Sequence, residues 1–280
     1  MRAFVAHMRP AAMVPTFLSA LTGYALSPAR ASGWALAADF ATLFVLHSVL
    51  LWGGTNAWNS ACDGDSGPLT LLPNPPPIPR HLGSFGLVLM LGAAAMGLAI
   101  YGPLGLTVIG AVALSLLYST PTPWWPRGKA VPGIDMAINA AGSGLISIMI
   151  GWGITGAPFD TGLWVAGGAF SLAYFAGIPT TQIFQLTPES KDWASWVGPR
   201  RVLLLGAGLF AAHLLLLASF DLPPTPLSRG LWWLWLALTA ATITHLIVWA
   251  RRPMNRPYPR MLRQLVLAMS AQVAWTAAVW

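Results

Sequence analysis

Three stretches of this chain hold side chains whose types and spacing could do chemistry. The first runs Asn59-Ser60-Ala61-Cys62-Asp63-Gly64-Asp65. Asn59 and Asp63 are four residues apart, so on a helix that reaches residue 63 they share one face. Gly64 lets the chain turn, and Asp65 can return to the same point from the loop. An amide oxygen and two carboxylates suit Mg²⁺, a hard ion that keeps waters and shares substrate phosphate oxygens. The same residue types also build an ordinary helix end and turn, and spacing alone leaves both readings open.

The second stretch is Gln185-Leu186-Thr187-Pro188-Glu189-Ser190-Lys191-Asp192. Glu189 and Asp192 share a face if Pro188 starts a short helix, which reads equally well as a capped helix start. The third runs from Tyr118 to Lys129. Its proline density forbids helix. Arg127 and Lys129 can grip an anionic headgroup or a phosphate, although a positively charged loop with an aromatic belt explains the same residues. Asn139, one turn after Asp135, is a polar residue turned to some interior. Pro75-Pro76-Pro77 reads as a stiff loop spacer rather than a polyproline ligand.

The elements that must position these residues follow from composition. Of 280 residues, 56% are hydrophobic and 8% charged, against about 25% charged in ordinary soluble domains. Eight acids and fifteen bases cannot keep that much apolar surface in solution. Hydrophobicity excludes a disordered tail, and one cysteine excludes a disulfide scaffold. A net charge of +7 raises the question of nucleic acid. The bases are sparse and separated by apolar segments, so they form no phosphate-tracking groove. The chain reads as one all-α integral-membrane domain over residues 1–280.

A spanning helix needs about 20 apolar residues. Nine segments come close: 11–28, 35–55, 82–101, 103–120, 134–157, 163–186, 201–221, 229–250 and 261–280. Lipid satisfies no free backbone group, so these are helices, and Pro179 should kink the sixth. Arg2, Arg9 and the stretch Ala25-Leu26-Ser27 loosely resemble a cleavable leader. Pro10 and Pro15 sit awkwardly in such a segment, and the first helix is read as retained. Taking alternate ends, thirteen of fifteen bases fall on one side and only Arg30 and Arg229 on the other. The positive-inside rule then makes the N-terminus cytoplasmic and sends the C-terminus across, in a bacterial inner membrane. Five of the eight acids gather on the cytoplasmic side. Acidic segments after spans two and six suggest two similar four-helix halves plus a ninth helix.

The fifteen tryptophans could supply an aromatic cage for a cation. Trp232, Trp233, Trp235, Trp249, Trp275 and Trp280 lie near span ends and read as interfacial belt. Trp58, Trp124, Trp125, Trp193 and Trp196 flank the polar loops. Asp39 should pair within the bundle. The cluster Arg251–Arg263 binds anionic lipid in the simplest reading.

Taken together, the segments resemble the UbiA superfamily of intramembrane prenyltransferases, a nine-helix bundle with Asp-rich cytoplasmic loops after helices two and six. Arg9-Pro10 with Pro15 and Gly23 looks like the opening of the family's first helix. Asn59-Ser60, Asp63, Asp65, Gly67-Pro68, Leu72 and the proline triplet are similar to a branch whose first motif runs Asn-Ser-x-x-Asp-x-Asp-x-Gly-Pro. Tyr118-Ser119, Pro121, Arg127, Lys129, Asp135, Asn139, Gly142 and Gly144 resemble its loop and helix five. Thr181-Gln182-Ile183 and Gln185 resemble its helix-six ending. The likeness covers residues 7–200. It implies Mg²⁺ held by Asn59, Asp63, Glu189 and Asp192, with Asp65 and Asn139 also in the catalytic set. Arg9, Tyr118, Arg127 and Lys129 would hold the diphosphate of an allylic prenyl diphosphate. Its prenyl group would pass to an aromatic or other small acceptor. A cyclase acting on the prenyl diphosphate alone, or a non-catalytic binding or transport protein of the same fold, is the alternative. The chain departs from the family at Gly64, where an Arg is common, at Gly67, and at Thr187-Pro188, where the second motif carries acids.

Overall fold

The computed structural model describes residues 1–64, 74–124, 126–183, 193–218, 226–251 and 258–279, and most of the described residues are helical, with no strand among them. In chain order the helices are α1 (Arg2–His7), α2 (Pro10–Leu26), α3 (Gly33–Asp63), α4 (Leu82–Ile100), α5 (Gly102–Ser119), α6 (Ile134–Ile154), α7 (Thr161–Gln182), α8 (Trp193–Val197), α9 (Pro199–Ala218), α10 (Pro226–Arg251) and α11 (Tyr258–Val279). Seven of them, α3 to α7 with α9 and α10, are long and apolar enough to cross a membrane. Pro10–Leu26 and the Val266–Trp275 stretch of α11 are shorter apolar helices. With the composition, this makes the chain an integral membrane protein.

Helix α3 is longer than the apolar run alone suggests. It continues past residue 55 through the polar Asn56–Asp63 stretch and ends where Gly64 adopts φ +65° as its cap. A left-handed residue is what a glycine supplies at no steric cost. Two segments inside the long helices are wound as π-helix, Phe44–Trp52 in α3 and Ala141–Ile146 in α6. Such segments often mark functional sites.

Small residues set how closely the helices approach. A Cβ on Gly151 of α6 would strike the Ala20 carbonyl oxygen of α2, and one on Gly54 of α3 would meet the Gly86 carbonyl of α4. In lipid, where burial gives helices no hydrophobic advantage, this close packing is what holds them together. Helices α2, α6, α7, α9, α10 and α11 pack in sequence into a ring, since α11 returns to α2. Helices α3 and α5 complete the wall, while α4 packs outside against both of them.

Polarity follows face rather than position along a span. Trp235 and Trp275 are 1% and 2% exposed and stacked on each other with ring centroids 5.4 Å apart. Trp232 and Trp249 are also buried, and of the four just named none is the belt residue that its place near a span end suggested; Trp233, by contrast, is largely exposed. Asp39 pairs within the bundle as expected, accepting a 2.9 Å hydrogen bond from the Tyr24 hydroxyl.

Candidate functional site

At one end of the bundle the polar residues of α3 meet those of three other elements. The Ser119 hydroxyl of α5 donates to Asn59 Oδ1 at 3.0 Å. Four residues on, Asp63 Oδ1 takes an ion pair from Arg127 at 2.9 Å and a second from Lys129. Arg127 also donates to the Cys62 carbonyl at 2.9 Å, which ties the loop to the end of α3. The proline-rich loop thus gives way to a short 3₁₀ turn, Gly128–Ala130, that carries both cations to one carboxylate. Asn139 of α6 donates to the Tyr118 hydroxyl at 3.2 Å and to the Asp135 carbonyl at 2.8 Å. Asp135 itself is buried and caps its own helix, accepting from the backbone N–H groups of Gly133 and Met136.

Arg9 enters from the α1–α2 junction. It is the one non-glycine residue with positive φ among the described residues, at +53°. That conformation is costly for a side-chain-bearing residue and tends to persist where surrounding structure enforces it. Here Arg9 donates to the Ser60 hydroxyl at 2.9 Å, and Asn56 donates to the Met8 carbonyl at 3.0 Å. The α1–α2 junction is thereby fixed to the last turns of α3.

Beneath this cluster lies a cavity of about 450 Å³. Arg9, Asn56, Asn59, Tyr118 and Asn139 line its mouth. Its lining runs from Asn59 to Leu51 along α3 and from Ile178 to Phe170 along α7, which is about 12 Å of helix. Because successive helices alternate in direction, the deep end is formed by Leu51, Ala111, Ile146, Phe170, His213 and Trp235. A deep, mostly apolar cleft with a few convergent polar groups at one end is the usual form of a small-molecule site.

The structure therefore brings Arg9, Asn59, Tyr118 and Asn139 to the cavity lining, while Asp63 pairs with Arg127 and Lys129 one helical turn beyond Asn59. Asp65, Glu189 and Asp192 lie outside the described residues, as do Gln185 and Trp125. Among the described residues no group of three His, Cys, Asp or Glu side chains is placed to hold a metal ion. Trp58 hydrogen-bonds Thr120 at 3.2 Å beside the mouth, while Trp124 and Trp196 are exposed. Sequence reasoning missed the far wall altogether. Phe210, His213, Trp235, Thr239, Thr242, Met269 and Gln272 all follow residue 200, where no motif is legible, yet all line the cavity. One signal was available: a histidine in mid-span is expensive in lipid and marks a site by default.

Comparison with family models and with curated proteins finds no match. Solved structures do match. A UbiA homolog from Archaeoglobus fulgidus bound to GPP and Mg²⁺ aligns over 99% of this chain and 99% of its own, with a TM-score of 0.67 and 18% identity. A UbiA homolog from the same organism bound to DMAPP and Mg²⁺ gives 0.67 at 19% identity, over 99% of this chain and 98% of its own. A structure of digeranylgeranylglyceryl phosphate synthase gives 0.66 at 14% identity over the same shares. At these identities the likeness is one of fold, and it extends along the whole chain.

Proposed function

We propose that this chain belongs to the UbiA superfamily and is a Mg²⁺-dependent intramembrane prenyltransferase that moves the prenyl group of an allylic diphosphate to a small acceptor. The observation that carries the reading is that Asn59 lines a deep apolar cavity and that, one helical turn further along the same face, Asp63 gathers Arg127 and Lys129. The homologs of the same fold that bind GPP or DMAPP with Mg²⁺ support it.

The donor set at the mouth fits the metal. Asn59 and Asp63 offer hard oxygens on one helix face, and Mg²⁺ commonly takes one or two carboxylates and leaves its other positions to water and phosphate. Asp65, Glu189 and Asp192 would add to that set. When bound, the ion supplies Lewis-acid stabilisation of the departing diphosphate. Arg127 and Lys129, which pair with Asp63 in this structure, turn to the diphosphate oxygens when substrate arrives, and Arg9 neutralises further phosphate charge. The allylic C1–O bond breaks with its electron pair leaving on the diphosphate. The acceptor then forms its bond to C1 and gives up a proton. Tyr118 and Asn139 hold the mouth in register through their mutual hydrogen bond. The apolar walls keep water from the allylic cation, which water would quench.

In this reading α2 and α11 also span, giving nine helices in two similar halves and a ninth. The mouth is cytoplasmic and the C-terminus lies on the other side of a bacterial inner membrane. A cysteine placed at Asp65 in a Cys62→Ser background should resist an impermeant maleimide added from outside; efficient labelling would reverse the orientation.

A second reading, a non-catalytic binding protein of the same fold, is favoured by the closed pairing of Asp63 with two cations. Purified protein, Mg²⁺, radiolabelled geranyl diphosphate and a lipid extract separate the possibilities. Labelled adduct supports transfer. Labelled hydrocarbon formed without acceptor would instead mean cyclisation, and unchanged substrate would mean binding alone.

A further inference from the structure

One acceptor in the cavity wall takes no part in the chemistry at the mouth. His213 lies fourteen residues into α9 and is 4% exposed. Its Nδ1 stands 2.8 Å from the Ala169 carbonyl of α7. A carbonyl only accepts, so Nδ1 carries the proton of this hydrogen bond. In the neutral ring Nε2 then has only a lone pair to offer. Among the described residues the ring's hydrogen bond is the one at Nδ1. The ring is held edge-on by Phe170 and Trp235, at centroid distances of 5.5 and 6.2 Å, and it lines the cavity.

Several other polar side chains of the cavity are paired within the protein. Thr55 pairs with Ser115 at 3.0 Å, Tyr174 with Ser19 at 3.1 Å, and Thr242 donates to the Leu238 carbonyl at 2.9 Å. Leaving a buried acceptor unmet costs free energy, and a histidine inside a membrane bundle is retained at a cost. A hydrocarbon tail gains nothing from such an atom. A ligand that brings an O–H donor does.

We propose that His213 is a specificity-determining residue whose Nε2 accepts a hydrogen bond from a hydroxyl on an apolar ligand lodged at the deep end of the cavity. The hydroxyl sits about 12 Å from the polar mouth by the helix rise. The ligand is therefore elongated, with its hydroxyl remote from the end that meets the mouth. The wall selects the alcohol over the ether or ketone of the same skeleton, because neither of those can donate to a lone pair. Naming this ligand the second substrate rests on the prenyl-transfer reading; the binding preference does not.

The test uses full-length protein in lipid nanodiscs, with empty nanodiscs as the blank for partitioning. Equilibrium dialysis measures tritiated 4-hexylphenol against 4-hexylanisole, and 1-decanol against its methyl ether, which distinguishes an aryl from an alkyl alcohol. In at least one pair the alcohol should bind about tenfold tighter. His213→Phe should bring that ratio near one, and His213→Gln, whose Oε1 can take the place of Nε2, should keep most of it. Asp63→Ala should leave the ratio unchanged while prenyl transfer is lost, so failure of the proposed function and failure of this inference register separately. No preference in either wild-type pair overturns the proposal without need of any variant. A preference that survives His213→Phe overturns it as well.

Discussion

The two walls of the cavity differ in how their polar groups are spent. On the wall built by α3, α5 and α6, Thr55, Ser115 and Trp52 are paired inside the protein. Thr55 meets Ser115, and Trp52 donates to His47, which also contacts Ser147 at 3.1 Å. Leu51, Ala111, Leu114 and Ile146 of this wall line the cavity beside them. On the wall built by α7, α9 and α10, His213 offers an unmatched acceptor between aromatic rings. The first wall suits a hydrocarbon chain, and the second suits a molecule with one polar point. A cavity meant for a single apolar tail would have had no reason to differ across its width.

The comparison can be broken at three places. Asp63→Ala removes the carboxylate that the loop cations seek, and turnover of labelled geranyl diphosphate should fall by roughly a thousandfold. Full activity in that variant would remove Asp63 from the site. A smaller effect is expected from filling one wall at a time. Ala111→Phe should raise the KM for geranyl diphosphate about tenfold by occupying the space of the chain. Thr239→Phe, on the opposite wall, should leave that KM within about twofold and weaken binding of the hydroxylated probe instead. Equal effects of the two changes on both ligands would mean that the walls are not specialised. The smallest effect belongs to the paired polar groups. Thr55→Val combined with Ser115→Ala replaces both partners with apolar groups and should shift stability by less than about 1 kcal/mol. A large drop in thermal midpoint would show that the pair serves more than mutual satisfaction.

The sequence made the first wall legible and hid the second. Asn59 and Asp63 could be placed because a four-residue spacing has one meaning on a helix, and Gly64 announced where that helix ends. Arg127 and Lys129 could be tied to the site only by resemblance, since nothing in a proline-rich loop tells which carboxylate it approaches. The loop's 3₁₀ turn is what brings them to Asp63. The aromatic residues after residue 200 were harder still. Trp232, Trp235, Trp249 and Trp275 lie near span ends, and position along a span cannot separate a lipid-facing ring from one that faces a cavity. Only the rotation of α10 and α11, set by their neighbours, decides it. The span count shows the same limit, because Pro10–Leu26 is short for a crossing by length and composition, while its proposed role comes from the helices around it.

The central claim is that the mouth ionises an allylic diphosphate above an apolar cavity. Single-turnover release of inorganic diphosphate from geranyl diphosphate, followed with purified protein in Mg²⁺ and then in chelator, tests it most directly. Release should require Mg²⁺ and disappear in Asp63→Ala. Release that persists in chelator, or that survives the loss of Asp63, would contradict it.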